Sequence, residues 1–382
     1  MNVVIACCAG LDVHKKTIAA CVRRIDGDGQ VVEQTLSFGT TTAELLALLD
    51  WLTKEGVTHV AMESTGVYWK PVFHILEGHL DVMLVNAHHI KHVPGRKTDV
   101  KDAPWIAELL QYGLLTPSFV PPAEIRELRD LTRQRTILVR EKAALANRVQ
   151  KVLEDANIKL ASVASDPLGV SGRAMIRGLI AGEVNPARLA QRARARLRKK
   201  IPQLREALDG RVTEHHRFLL KMLMEQIEHL ERQIEQFDSR IATAMAPLAA
   251  VAKRLETVPG LGTRAAEGIV AEIGTDMGRF PSGGHLASWT GICPGNDQSA
   301  GKRRSGRTTK GNQWLRALLV QVAWAAVRTK GTIFQAQYGR WIKRMGKKKA
   351  LVAVAHKILV VIWHLLKKGT QYRERQAPAP AV

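Results

Sequence analysis

Acidic residues are missing from one long stretch of this chain: between Gln298 and Arg373 there is no Asp or Glu, while Lys and Arg run through it from Lys302 onward. Charge so one-sided points to a polyanionic partner. Cysteine is also scarce, four residues in 382, and Cys7, Cys8, Cys21 and Cys293 show neither a CxxC pair nor zinc-ligand spacing. A disulfide framework is therefore not expected, and buried reduced thiols of a cytosolic protein are. No basic segment followed by a long apolar stretch stands at the start, so no signal peptide is expected. The most apolar run, Ala350 to Leu366, is broken by His356, Lys357 and His364. It reads as a buried or amphipathic helix and not as a membrane span.

What is present is length, apolar content and positive charge. With 382 residues, 46% of them hydrophobic, the chain can bury two or three domain cores. Its net charge of +22 favours nucleic acid as partner, before a membrane surface. The charge is unevenly placed: residues 1–120 hold ten Lys/Arg against thirteen Asp/Glu. The basic character belongs to the remainder.

Runs rich in Val, Ile, Thr and Cys over 3–12, 17–25 and 31–38 predict three strands, the last two joined by the hairpin signal Asp26-Gly27-Asp28-Gly29. Thr41 and Glu44 form a capping-box pattern opening a helix that ends at Gly56. A strand at 57–63, a helix over 67–78, a strand at 80–86 and a helix over 99–112 give the order βββαβαβα. A meander followed by two crossover units is the ribonuclease-H-like arrangement of a mixed sheet covered by helices.

That order brings together four acids. Asp12 ends an apolar run, Glu63 ends the fourth strand, and Asp99 and Asp102, three residues apart, follow the fifth. Open α/β sheets place their sites around such strand ends. Four carboxylates suit Mg²⁺, a hard cation that takes oxygen ligands and keeps several waters, with Mn²⁺ as an alternative. Pro104 stands just after the pair. A helix running through it would lose a hydrogen bond, so either the helix starts there or the pair lies in the turn before it. His88, His89 and His92, beside Lys91, Arg96 and Lys97, read as surface or phosphate-facing groups more simply than as zinc ligands.

After Pro121-Pro122 a helical pattern runs to Ile158, and a second covers 212–243. In the second, Leu220, Leu223, Ile227, Leu230, Ile234, Phe237 and Ile241 alternate steps of three and four, a coiled-coil seam. The long helices either pair within one chain or pair copies with each other. Between them, Arg188 to Lys200 is dense in Arg and Lys and has no acid. A new domain is expected near Ala250. Val258-Pro259-Gly260-Leu261-Gly262 and the apolar pattern after it resemble a helix-hairpin-helix element, whose turn can offer backbone N–H groups of Gly260 and Gly262 to a DNA phosphate. Ser299 lies in a small-residue turn just before Lys302, Arg303 and Arg304. Its hydroxyl could attack a phosphodiester whose charge those cations offset, or simply donate to a phosphate.

Taken together, these motifs resemble the DEDD transposases of bacterial insertion sequences, the group that includes the Piv-type DNA invertases and the recombinases guided by a bridge RNA. The N-terminal matches are Gly10-Leu11-Asp12-Val13-His14-Lys15, Met62-Glu63-Ser64-Thr65-Gly66-Val67-Tyr68 and Lys97-Thr98-Asp99 with Asp102-Ala103. The C-terminal ones are Pro259-Gly260-Leu261-Gly262, Gly291 with Pro294, Ser299 with Gly301-Lys302, and Lys310-Gly311-Asn312 with Leu315-Arg316. Ala300 stands where many members carry Gly, Ser or Thr, and Pro104 is atypical after the acid pair.

The resemblance implies a RuvC-like domain over 1–120 with the tetrad Asp12, Glu63, Asp99 and Asp102, binding Mg²⁺. It also implies a mainly helical transposase domain over 250–370 with Ser299 as nucleophile. Coiled-coil and basic helices would fill 121–249, and 371–382 would be a disordered tail. Gly260, Gly262, Lys302, Arg303, Arg304, Arg307, Lys310, Asn312 and Arg316 are the expected nucleic-acid contacts. Donor and target DNA, a noncoding bridge RNA and further copies of the chain, as dimer or tetramer, are the expected partners, in the cytoplasm with the nucleoid and with no membrane. Two readings compete. A RuvC-like junction nuclease would use metal-activated water and leave the second half unexplained. A non-enzymatic nucleic-acid-binding protein would leave the four acids unexplained.

Overall fold

The computed structural model describes residues 3–64, 66–86, 102–294 and 307–374, with backbone alone at 297–299 and 302–305. The described chain divides into two compact units, Met1–Val120 and Pro121–Val382.

The first unit is built on one five-stranded mixed sheet. Strands β1 (Cys7–Val13), β2 (Thr17–Ile25), β3 (Val31–Gly39), β4 (His59–Glu63) and β5 (Asp81–Val85) lie in the order β3-β2-β1-β4-β5. The first three pair antiparallel, and β4 and β5 add parallel strands on the other side of β1. This order is compatible with the ribonuclease-H-like arrangement that the sequence predicts. Side chains alternate across a strand. Ala9, Leu11 and Val13 therefore face α1 (Thr42–Lys54) and α2 (Trp69–Leu76), packing with Leu45, Leu48, Leu52, Val72 and Leu76. Cys8 faces the other way, where α3 (Asp102–Gln111) contributes Ile106, Leu109 and Leu110.

The predicted capping box is half realised. Thr41 Oγ1 accepts from the Glu44 N–H at 3.4 Å, while the Glu44 carboxylate takes the N–H of Gly39 at 3.1 Å. The last strand residue is thereby tied to the helix start. Pro104 causes no break because it sits in the first turn of α3, where backbone N–H groups have no intrahelical acceptor to lose. All four cysteines are free thiols, two buried and two half-buried, and burial pushes Cys8 up to about 12.

The second unit is helical apart from one hairpin. Its spine is α4 (Ala123–Asp155) and α9 (Glu214–Met245). The ion pairs Arg135–Asp238 and Lys142–Glu231, and the contact of His216 with Asp155, step in opposite directions along the two helices. The helices are therefore antiparallel partners within one chain, each about 50 Å long at 1.5 Å per residue. On α9 the positions seven apart, Leu220, Ile227, Ile234 and Ile241, are buried, and Leu223, Leu230 and Phe237 between them are half-buried. Between these helices the chain forms an insert of α5 (Leu160–Val163), α6 (Val170–Ile180), α7 (Pro186–Ala190), a 3₁₀ turn (Ala195–Lys200) and α8 (Ile201–Ala207). It shares a core with the adjoining ends of α4 and α9.

Beyond the spine come α10 (Ala249–Glu256), α11 (Thr263–Ile273), α12 (Gly283–Thr290), the strands β6 (Asp297–Ser299) and β7 (Lys302–Ser305), and then α13 (Gln313–Ala326), α14 (Ile333–Met345) and α15 (Lys347–Lys368). Among the described residues α15 is the one helix long and apolar enough to cross a membrane. It packs against α12, α13 and α14, burying Leu351, Val354, Ile358, Leu359 and Ile362, as a core helix does. Residues 371–374, which the sequence places in a tail, dock on this body: Tyr372 stacks on Phe334, and Glu374 accepts from the Ile333 N–H at 2.8 Å.

Candidate active sites and nucleic-acid contacts

In the first unit, backbone register sets the acids. Strands β1 and β4 run parallel with Leu11 opposite Met62, so the next residues, Asp12 and Glu63, stand side by side on the face opposite the α1/α2 core. Gly10 lies two residues before Asp12 on that face. A Cβ there would come within 2.3 Å of the Ala103 carbonyl oxygen and 2.4 Å of the Ala107 nitrogen. Only glycine permits α3 to lie directly on β1. The Cys8 thiol donates to the Ala107 carbonyl at 3.4 Å, and the Ile5 N–H to that of Gln111 at 3.2 Å. Helix numbering thus falls as strand numbering rises, which sends the N-terminus of α3, beginning at Asp102, toward Asp12.

Carboxylate oxygens are the donors a hard cation takes, whereas the positive end of α3 favours an anion, such as the Asp102 carboxylate in its first turn. Among the described residues no three acid, His or Cys groups converge closely enough to hold an ion. Asp99 lies outside those residues, as do His88, His89 and His92. Asp12 is one-fifth exposed and has a neighbour that the sequence reading quoted without assigning a role: His14 Nε2 stands 3.1 Å from its Oδ2.

In the second unit, Ser299 ends strand β6 and is paired with Lys302 across a two-stranded antiparallel ladder. The predicted turn serine is a strand residue, the last before residues 300 and 301. The stem below is closed by backbone against backbone. Gly291 caps α12 with φ +75°, and a Cβ on it would meet the Thr309 oxygen at 2.7 Å and the Gly311 nitrogen at 2.8 Å. Gly311 is as tightly set: a Cβ on it would lie 2.5 Å from the Gly291 nitrogen. A bridge between Pro294 and Thr308 lies above them. Sequence motifs about twenty residues apart therefore form the two sides of one stem.

The expected nucleic-acid residues differ in setting. Lys310 and Arg307 are exposed, Arg316 is half-buried, and the side chains of Lys302, Arg303 and Arg304 lie outside the described residues. Gly262 faces open space at the N-cap of α11. Gly260, by contrast, has φ +83° and is pressed on α13, where a Cβ would meet the Ala326 nitrogen at 2.4 Å. Its smallness serves packing. Asn312 is also engaged internally: its Oδ1 accepts from the Trp314 and Leu315 N–H groups at 3.0 Å, capping α13, and its Nδ2 donates to Glu272 Oε2 at 2.6 Å.

Glu272 was not foreseen. Its buried carboxylate accepts two parallel bonds from Arg133 on α4, at 2.7 and 2.8 Å, and Arg129 donates to the Ala271 and Glu272 carbonyls. Burial pulls Arg129 down to about 10, with Glu272 opposing, so it stays protonated near neutrality. The Trp314 ring receives Arg133 and Arg140 at 5.6 and 5.1 Å from its centroid. One carboxylate thus joins α4, α11 and the foot of the serine hairpin. Two buried acids, Glu267 and Glu272, inside the apolar run Ala265–Ile273 are the signal, since a buried charge needs a partner.

Comparison with known sequences accords with both halves. A family model for the DEDD transposase of IS110 type matches residues 9–158, and one for the transposase of the IS116/IS110/IS902 family matches residues 252–339. The chain belongs to the IS110-type DEDD transposases. It is 29% identical, over 82% of its length and 85% of the other's, to a probable family 20 transposase of Pseudomonas aeruginosa. It is 23% identical, over 95% and 90%, to the transposase for insertion sequence element IS1111A of Coxiella burnetii. A pilin gene-inverting protein of Moraxella bovis is 27% identical over 39% of this chain and 48% of its own. As a transposase the chain is an enzyme that cleaves and joins DNA, and its DEDD family implies dependence on a divalent metal ion.

Proposed function

We propose that this transposase exchanges DNA strands through Ser299 as nucleophile, together with an acidic tetrad of Asp12, Glu63, Asp99 and Asp102. The observation that carries the reading is the parallel register that sets Asp12 beside Glu63 under the start of α3. The tetrad would hold Mg²⁺, which supplies charge neutralisation at a phosphate oxygen and activation of a bound hydroxyl. The Ser299 hydroxyl forms a bond to phosphorus as the bond from phosphorus to the deoxyribose oxygen breaks. The serine proton passes to a base, and the released oxygen takes one up. Lys302, Arg303 and Arg304 offset the charge that develops on the phosphoryl oxygens. The protein–DNA ester conserves the phosphodiester bond, so a strand hydroxyl can reseal it without ATP.

Sequence choice falls to a bridge RNA that pairs with donor and target DNA. The protein adds phosphate contacts through Gly262, Arg307, Lys310 and Arg316, with Gly260 and Asn312 shaping the elements that carry them. Dimers or tetramers in the cytoplasm, at the nucleoid, form the synaptic complex. Quenching a reaction in denaturant tests the chemistry: wild-type protein is expected to carry covalently attached DNA and Ser299→Ala none. Free 3′-hydroxyl ends without an adduct would establish the hydrolytic nuclease instead. Guidance is tested separately, by altering the pairing loops of the RNA. The target should change with them, and unchanged target choice by purified protein without RNA would overturn that part.

A further inference from the structure

The insert between the two long helices carries a second concentration of positive charge that the proposed chemistry does not use. Residues 156–213 hold twelve Lys/Arg and four Asp/Glu. Its basic segment is amphipathic in a particular way. Leu189, Ala190 and Ala193 are buried in the core shared with α4 and α9, whereas Arg194, Arg196, Arg198 and Lys199 are exposed. The backbone beneath them is fixed. The Arg194 N–H donates to Ser171 Oγ at 2.9 Å, and Lys200 Nζ to the Val163 carbonyl at 3.1 Å. Gly178 on α6 admits the segment closely, since a Cβ there would lie 2.7 Å from Leu189 Cδ2.

Two features separate this segment from an ordinary solvated face. Ala195 has φ +49°, a left-handed conformation that a residue with a Cβ rarely adopts and that persists only where its surroundings impose it. Electrostatics point the same way. Of the insert's four acids only Glu183 reaches the segment, 3.8 Å from Arg188, and among the described residues the four exposed cations have no acidic partner. A well-anchored backbone holds these like charges together, and a polyanion would offset their mutual repulsion.

We propose that this ridge, Arg194 to Lys199, is a separate docking surface for duplex DNA that grips the sugar-phosphate backbone and reads no bases. Arg is suited to it because the guanidinium fork matches a phosphate. DNA is the polyanion because the chain belongs to a family of DNA transposases. The inference rests on that membership and is independent of Ser299. The ridge would hold DNA flanking the exchanged site and add affinity that weakens with salt.

The test measures binding of the full chain to a 30-base-pair DNA duplex across a range of salt. Each lost phosphate contact makes the slope of log K against log salt shallower by about 0.9. Arg196→Gln/Arg198→Gln/Lys199→Gln should therefore flatten it by about 2 to 3 and weaken binding at least about tenfold near 0.15 M salt. The buried anchors are untouched, and an unchanged melting temperature verifies the fold. A photo-crosslinker in place of the exposed Gln191 should label the DNA duplex. An unchanged slope without crosslinking would overturn the ridge, and labelling confined to a competing 30-base-pair RNA duplex would overturn its assignment to DNA. A normal Ser299 adduct in the triple variant at saturating protein is expected. Loss of the adduct in wild type, with the slope difference intact, would sink the serine chemistry and leave the ridge standing.

Discussion

The two units position their candidate reactive groups by different means. In residues 1–120, where acids outnumber bases thirteen to ten, Asp12 and Glu63 are placed by strand register and by a glycine that lets a helix touch a strand. Beyond residue 120, where forty-seven bases face twenty-two acids, the serine hairpin stands on a stem whose foot is held by side chains converging on Glu272. Backbone placement tolerates loss of the functional side chain itself. Placement through a buried carboxylate does not tolerate loss of the carboxylate.

The sharpest test of that contrast begins with the acids. Asp12→Asn, Glu63→Gln, Asp99→Asn and Asp102→Asn should each lower strand exchange on the order of a thousandfold, because on the proposed reading they remove charge from the tetrad that would hold the metal. Melting temperature should stay within about 2 °C for Asp12→Asn, Glu63→Gln and Asp102→Asn, since none of those three side chains belongs to the apolar cores of the first unit. Near-normal recombination by two of the four would remove the tetrad assignment.

Glu272 should behave in the opposite way. Glu272→Ala leaves Arg133 and Asn312 without their shared acceptor, and breaking a buried pair on one side costs about 3 kcal/mol or more. A global melt should fall by several degrees, and the adduct at Ser299 should form more slowly even at temperatures where the protein is folded. Glu272→Gln keeps an acceptor for one of the two and should sit between. A Glu272→Ala protein with wild-type stability and adduct rate would show that the hairpin does not depend on this foot.

Gly10 supplies the matching test in the first unit. Gly10→Ala puts a methyl where carbonyl and amide backbone already stand, so α3 must lift from β1 at a cost of about 1–3 kcal/mol. Because α3 starts at Asp102, strand exchange should fall with stability. If the variant melts and recombines like wild type, α3 does not rest on β1 as closely as described.

How far the sequence revealed these arrangements follows from the same contrast. The element order βββαβαβα and the two long helices were legible because alternating and helical apolar patterns report burial directly. Whether those helices pair within one chain, and that Asp12 stands beside Glu63, depend on contacts and register that no single pattern carries. Pro104 could not be resolved from sequence, because whether a proline is tolerated depends on where the first turn begins. The glycines at 260, 291 and 311 were legible as motif members but not as contacts, since a missing Cβ matters only against a neighbour distant in the chain. Asn312 was assigned to nucleic acid from its basic surroundings; its cap on α13 is a local contact, but its bond to Glu272 depends on a residue forty positions away. Arg133 was hidden among the arginines of α4 for the same reason.

The smallest expected effect concerns pH and the insert. Glu231 on α9 accepts from Arg173 of α6 at 2.6 and 2.9 Å and from Lys142 of α4 at 3.4 Å, joining insert and spine. Burial alone would raise its pKa, but the Arg173 and Lys142 contacts outweigh it and hold the carboxyl below its ordinary 4.5. A depressed folded value means that the unfolded chain takes up the proton first as pH falls. The stabilisation is therefore fully present above the unfolded value near 4.5 and is lost as pH drops through the lower folded value. With the side chain partly open to solvent, the contribution is about 1 kcal/mol, equivalent to about 2 °C in melting temperature. Comparing melts at pH 7 and pH 4 for wild type and Glu231→Gln should show the variant less stable at pH 7, with the gap narrowing at pH 4. A gap that stays constant with pH would mean that the link between insert and spine is carried by packing in the shared core and not by this carboxylate.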